Sequence, residues 1–236
     1  MKATALARRA TRSLWAGWIR PLALPILGIL AAKSALADIN YVPTGSMKPT
    51  ILEGDVVVVN KLAYDLKVPF TRHRLAEWSA PARGDIVVCF SPEDGVRLVK
   101  RVVALAGDTV ELRDDVLVLN GTSLAYAPLA VTASGVRDLE PAELRSALFA
   151  RETLGESAHS MMVLPARPAR RNFGPVVVPS DHCLVLGDNR DNSRDSRYFG
   201  FMPVERIVGR AEAVFVSGDL DHWLRPRFGR FCTALE

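Results

Sequence analysis

The sequence predicts a mostly β protein behind an N-terminal transmembrane helix. Three observations carry that expectation. Runs rich in β-branched residues recur along the chain, among them Val56-Val57-Val58-Val59, Ile86–Phe90 and Val96–Ala104, and such residues suit the pleated, half-buried surface of a strand. Turn signals separate them: Glu53-Gly54-Asp55, Arg83-Gly84-Asp85, Ala106-Gly107-Asp108 and Asn120-Gly121. Ahead of them all, Leu14 to Ala32 is mostly apolar.

A helix over that apolar stretch spans roughly 28 Å, close to a hydrocarbon core. Arg20, Pro21 and Pro25 interrupt it; the arginine sits near the basic end, where it can snorkel to the headgroups. Trp15 and Trp18 then lie at the same interface. Residues 1–13 carry Lys2, Arg8, Arg9 and Arg12 and no acid. The remaining residues are formally neutral, so the net charge of +4 belongs to the tail. That placement argues for a membrane orientation signal, N-terminus inside, and against a nucleic-acid face. The expected organisation is a basic cytoplasmic tail (1–13), an anchor (14–33) and an extracytoplasmic domain (38–236). Two other readings compete for the apolar segment. Ala35-Leu36-Ala37 has the small-x-small form of a cleavage site, and an interfacial helix is the third option.

Ile51–Asn60 reads as a buried strand, and 61–80 as an excursion without a period. Ile86–Phe90 and Val96–Ala104 are the next strands, followed by a hairpin over Thr109–Leu119 that turns at Arg113-Asp114-Asp115. Residues from about 120 to 175 read as an inserted sub-domain that carries little chemistry, with a short helix over Pro141–Phe149. Val176–Val178, Cys183–Leu186 and Val204–Val216 return to strand, with Gly209 as a bulge or point of close approach. The tail from Gly218 onward mixes aromatic residues with Arg225, Arg227 and Arg230, and either packs on the domain or meets the interface.

Three stretches bear on function. In Pro43-Thr44-Gly45-Ser46-Met47-Lys48-Pro49-Thr50 the glycine and prolines hold Ser46 in backbone that is neither helix nor regular strand. A serine displayed on a stiff turn is a candidate nucleophile. Strand alternation puts Lys100 on one face with Val96, Leu98 and Val102. A free lysine, with pKa about 10.4, is neutral only about once in 2,500 molecules at pH 7. Aliphatic neighbours disfavour the ammonium and make the amine available as a general base. The polar run from Gly187 to Arg197 holds Asp188, Asn192, Ser193, Asp195 and Arg197, and so dense a run needs internal pairing. It lacks the glycine and glutamate positions of a calcium loop. Cys89, Cys183 and Cys232 have no metal-ligand spacing. No cofactor or metal is expected.

Together GSMKPT, RGDIVV at 83–88, KRVVALAGD at 100–108 and GDNRDNSRDSR at 187–197 resemble the ordered motif set of the bacterial type I signal peptidases, the Ser/Lys leader peptidases. The resemblance implies a mostly antiparallel, barrel-like β-sheet catalytic domain on the outer face of the inner membrane. It implies Ser46 as nucleophile, Lys100 as general base, Thr44 with the Ser46 N–H as oxyanion donors, and Ser193 orienting Lys100. Asp188, Asn192, Asp195 and Arg197 become structural members of the last loop. The implied substrates are secretory preproteins, cut after a small residue with another small one two positions earlier, by a single-pass monomer in the lipid bilayer. Thr44 stands where serine is common, and Ala104 and Ala106 where glycine and proline are usual. Rival readings are a specialised Ser/Lys processing peptidase of the pilin or conjugation type, and a non-catalytic membrane-tethered β-domain that binds extended peptides. A self-cleaving repressor protease would need a DNA-binding domain that residues 1–38 are too short and apolar to form.

Overall fold

The computed structural model describes residues 20–71, 73–129, 145–220, 222 and 224–235. The basic tail, residues 14–19 with Trp15 and Trp18, the side chain of Arg20 and the first four residues of the expected helix at 141–149 lie outside them. Helix α1, Arg20–Leu36, runs past the expected end at residue 33. Pro25 lies in its interior. Among the described residues no helix is long and apolar enough to cross a membrane.

Strand β1 (Ala37–Tyr41) follows α1 directly. A short 3₁₀ turn, Gly45–Met47, and a loop separate it from β2 (Asp55–Asn60). The strand expected from Ile51 therefore begins only at Asp55. Ile51 and Leu52 are buried as loop residues, and a buried loop and a buried strand look alike in hydrophobicity. The excursion at 61–80 contains a hairpin of β3 (Asp65–Lys67) and β4 (Arg74–Glu77). Strands β5 (Ile86–Phe90) and β6 (Arg97–Leu105) pair with Val87 opposite Lys100.

The hairpin of β7 (Thr109–Arg113) and β8 (Val116–Leu119) turns where expected, with Asp114 and Asp115 at positive φ. Strands β9 (Thr122–Ser123) and β10 (Ala125–Pro128) follow. Next come β11 (Leu148–Leu154) and β12 (Ser157–Val163), so Leu148 and Phe149 are strand rather than helix. Then come β13 (Phe173–Val177), β14 (His182–Leu186), a single-turn helix α2 (Ser196–Phe199), β15 (Met202–Pro203) and β16 (Ile207–Asp219). Strands β17 (Arg225–Pro226) and β18 (Thr233–Ala234) close the chain.

The main sheet runs β1-β2-β16-β5-β6-β14-β15, with β17 and β18 also on β16. A second sheet is β13-β7-β8-β9 and a third β10-β11-β12. Every pairing between these strands is antiparallel. The main sheet curls. Although β1 and β6 are not neighbours, Arg97 of β6 reaches Asp38 at 3.2 Å and also donates to Asn40 of β1. Gly209 contributes to the curl: the β16–β5 register shifts beside it, and a side chain there would strike the Asn60 carbonyl. One face of the sheet buries Val42, Met47, Ile51, Val57, Val59 and Val214, and another cluster joins Val87, Cys89, Val102, Cys183 and Val185. The cysteines at 89 and 183 serve as small core side chains, and all three cysteines are free.

Candidate active site

Ser46 owes its place to its neighbours. Thr44 is extended (φ −132°, ψ 149°), and the chain then tightens into the 3₁₀ turn, where Lys48 N–H donates to the Gly45 carbonyl at 3.2 Å. Ile51 N–H donates to the Met47 carbonyl at 2.9 Å, and both side chains sink into the core. With Met47 and Ile51 facing inward, Ser46 just ahead of them is half-buried on the side of β6. The serine thus lies within a short helical turn, where neither helix nor strand was expected. Lys48, two residues on, is buried and pairs with Glu53 at 3.1 Å.

Lys100 shares its face of the sheet with Leu98, Val102 and, across the ladder, Val87 and Cys89. It is 2% exposed. Its Nζ donates to Ser46 Oγ at 2.6 Å and to the Val99 carbonyl at 2.9 Å. Burial pushes the amine below the ordinary lysine range; Asp195, Cys89 and Asp188 oppose that shift and Arg197 adds to it. The same burial pushes the Cys89 thiol up to about 12.

The polar run from Gly187 forms a buried lattice. Asp188 is gripped by Arg101 through both oxygens, at 2.9 and 2.8 Å, and by the Thr50 hydroxyl at 2.5 Å. Burial would raise that carboxyl, but the charge and hydrogen bonds of Arg101 hold it below the usual range. Asp195 pairs with Arg197 (2.8 and 2.9 Å), accepts from the Gly187 N–H (3.1 Å) and caps α2 at the Arg197 N–H (3.3 Å). Arg197 also donates to the carbonyls of Arg170 and Arg190. Asn189 ties the lattice to the serine: its N–H donates to the Ser46 carbonyl and its side chain to the Gly45 carbonyl, both at 3.1 Å. Position 187 admits only glycine, since a Cβ there would overlap the Ser193 hydroxyl and the Ser46 carbonyl.

The fold brings Ser46 and Lys100 into contact, with Asp188, Asp195 and Arg197 behind them. Ser193 is buried next to Gly187, but its Oγ has no hydrogen-bond partner among the described residues, and the expected bond to Lys100 is not formed. Thr44 is exposed and its hydroxyl does not cap the turn. Asn192 is half-buried and bonded through its N–H to the Asn189 carbonyl at 3.1 Å.

Sequence reasoning missed the contribution of the inserted region. Glu152 of β11 pairs with Arg190 at 2.5 Å and lies 3.2 Å from His159 of β12, which in turn lies 3.9 Å from Asp188. Burial would raise the Glu152 carboxyl, but Arg190 and His159 hold it well below the usual range. The Met162 N–H donates to the Asp188 carbonyl at 2.8 Å. Residues of the inserted region, expected to carry little chemistry, therefore form the back wall of the polar loop. The alternation of Leu148 to Leu154, with a lone glutamate inside it, was the available signal.

A buried amine within hydrogen-bond reach of a serine hydroxyl is an arrangement suited to a serine hydrolase, and the family that the chain matches makes the class a serine endopeptidase. The chain belongs to the signal peptidase family: the family profile described as "Signal peptidase, peptidase S26" matches residues 15–216. The chain is 38% identical to the signal peptidase I of Pseudomonas fluorescens, over 86% of this chain and 72% of that one. With the signal peptidase I of Pseudomonas aeruginosa it shares 35% identity, over 82% and 70%. It is also similar to the crystal structure of a signal peptidase I from Enterococcus faecalis V583, with 34% identity over 55% of this chain and 95% of that one. That superposition has a TM-score of 0.33, too low to bear on the fold.

Proposed function

We propose that the protein is a membrane-anchored signal peptidase that removes signal peptides from secretory preproteins after small-x-small sites. Ser46 is the nucleophile and Lys100 the general base. The observation that carries this is the 2.6 Å contact between Lys100 Nζ and Ser46 Oγ in a site where burial favours the neutral amine. As Oγ attacks the scissile carbonyl carbon, neutral Lys100 takes its proton. The oxyanion is received by the Ser46 N–H, which as an early N–H of the turn lacks an intrahelical acceptor, and by the Thr44 hydroxyl. When the C–N bond breaks, Lys100 returns the proton to the leaving amine. Lys100 then deprotonates the water that hydrolyses the acyl ester. Lys100 is oriented by its bond to the Val99 carbonyl, and Asp188, Asn192, Asp195 and Arg197 keep the loop behind it in place.

The apolar segment 14–33 anchors the chain in the inner membrane, with the basic tail in the cytoplasm and 38–236 outside. Ser46 follows close on the end of α1 at Leu36, which suits substrates whose own apolar segments end at the membrane surface. Cleavage of a model preprotein by the full chain tests the proposal, with the cut site read by mass spectrometry. Ser46→Ala and Lys100→Ala should each reduce cleavage by at least about 10³-fold with unchanged circular dichroism. Near-normal cleavage by either would refute the dyad. Carbonate extraction of membranes, with N-terminal sequencing, tests the anchor.

A further inference from the structure

The loop that carries Ser46 is held from beyond the stretch that matches the family, which ends at residue 216. The segment 225–235 is itself tied down: β18 pairs with β16 at Ala213 and Val214, the Leu235 N–H donates to the Glu212 carbonyl at 2.8 Å, and the Leu235 side chain packs on the core that contains Met47 and Ile51. Ahead of these anchors two guanidinium groups reach into the loop after the serine. Arg227 Nη1 donates to the Glu53 carbonyl at 2.8 Å. Arg230 Nη2 donates to the Thr50 carbonyl at 2.9 Å, and the same guanidinium grips Asp55 at 2.6 and 3.3 Å. Asp55 is fully buried and accepts the Leu52 N–H at 2.8 Å.

Thr50 is where this grip meets the dyad. Its carbonyl is held by Arg230, and its hydroxyl donates to Asp188, which Arg101 holds beside Lys100. The loop 48–54 makes no ladder of its own. Its apolar side chains set its depth in the core, but apolar contacts are non-directional. Orientation has to come from hydrogen bonds, and the charge-assisted ones are the strongest present.

We propose that Arg230, assisted by Arg227, is a positioning residue for the nucleophile, clamping Thr50–Asp55 so that the Ser46 hydroxyl stays within reach of Lys100. The inference rests on the Ser46–Lys100 reading above. Arginine suits the task because its planar fork spans a carbonyl and a carboxylate at once, which a lysine ammonium does not.

The test uses the full chain in detergent micelles with Arg230→Met, Arg230→Lys and the double variant Arg230→Met/Asp55→Asn, with Ser46→Ala as control. Three quantities are measured: kcat and KM on a model preprotein, the thermal midpoint, and hydrogen exchange of peptides covering 46–55. Both methionine-bearing variants should lose about 10- to 100-fold in kcat, since a misplacement of about 1 Å suffices for that, with KM within about threefold. The double variant leaves no unpaired carboxylate, so it should regain the thermal midpoint but not kcat. Arg230→Lys should fall between, and exchange over 46–55 should quicken in both methionine-bearing variants. Wild-type kcat in the double variant would reduce Arg230 to a neutraliser of Asp55 and overturn the proposal, as would unchanged exchange over 46–55. Cleavage by Ser46→Ala would instead refute the nucleophile assignment, and the exchange measurement would still decide the clamp.

Discussion

Replacing Arg101 with methionine tests the lattice behind the dyad. In the wild type both Arg101 and Asp188 are 1% exposed and joined by two charge-assisted hydrogen bonds, at 2.9 and 2.8 Å. Methionine replaces part of the stem but leaves the carboxylate with the Thr50 hydroxyl and, at 3.9 Å, the His159 ring. Stripping one member from a buried pair costs about 3–5 kcal/mol. Protonation caps that cost, because a carboxyl of ordinary pKa near 3.9 takes up a proton at pH 7 for about 4 kcal/mol. The expected loss is therefore about 3–4 kcal/mol, a large share of the ~5–15 kcal/mol by which domains are stable. At ~2–4 °C per kcal/mol for a chain of this size, the thermal midpoint drops by ~6–16 °C. The lost bond from Arg101 to the Gly84 carbonyl, 2.8 Å long, acts in the same direction.

The assay is thermal unfolding of the full chain in detergent, followed by circular dichroism at pH 7 and at acid pH. The Asp188 carboxyl is held below its ordinary value. Its pairing therefore stabilises fully above the unfolded pKa of about 3.9 and is lost as pH falls through the lower folded value. In Arg101→Met the carboxyl protonates more readily, so the gap to wild type should narrow as pH drops. Arg101→Met/Asp188→Asn should recover more than half of the loss, since no charge is left buried. A single-variant loss under about 1 kcal/mol, or a double variant that loses as much as the two singles combined, would refute the reasoning.

The remaining predictions concern the site and its walls. Lys100 acts as a base only when neutral, so cleavage should rise with pH along a limb below the ordinary lysine range, and a limb near pH 10 would contradict burial as its cause. Asp195 contributes the largest of the charges that raise the Lys100 pKa, so in Asp195→Asn that limb should move to lower pH, measured as kcat/KM against pH. Gly187→Ala would drive a Cβ into the Ser46 carbonyl and the Ser193 hydroxyl; cleavage should fall by about 100-fold or more, with the loss read as kcat on protein that remains folded. Glu152→Gln strands the buried Arg190 and should cost about 3 kcal/mol in urea unfolding, although residue 152 lies in the inserted region.

Much of this was legible in the chain. The hairpin turn at Asp114-Asp115, the bulge at Gly209 and the strands around Val87 and Lys100 were local matters, set by turn chemistry and alternation over a few residues. The motif residues Ser46, Lys100, Asp188, Asp195 and Arg197 were likewise visible as types suited to nucleophile, base and ion pair. Ile51-Leu52 misled because burial alone does not distinguish loop from strand. Glu152 and His159 were passed over because they bear on the site only after β11 and β12 fold onto the 187–197 loop.

By itself the sequence determined the inventory: where the central strands of the main sheet run, which serine is displayed, which lysine sits among aliphatics, and that a polar run needs internal partners. The tertiary structure alone decided how far apart these groups lie. Curling the main sheet sets Lys100 at 2.6 Å from a serine that precedes it by 54 positions, and folding the C-terminal arginines back fixes the loop from the other side. Such contacts arise between segments with no local relation, and directional bonds across them form only after the core has set their distance and angle.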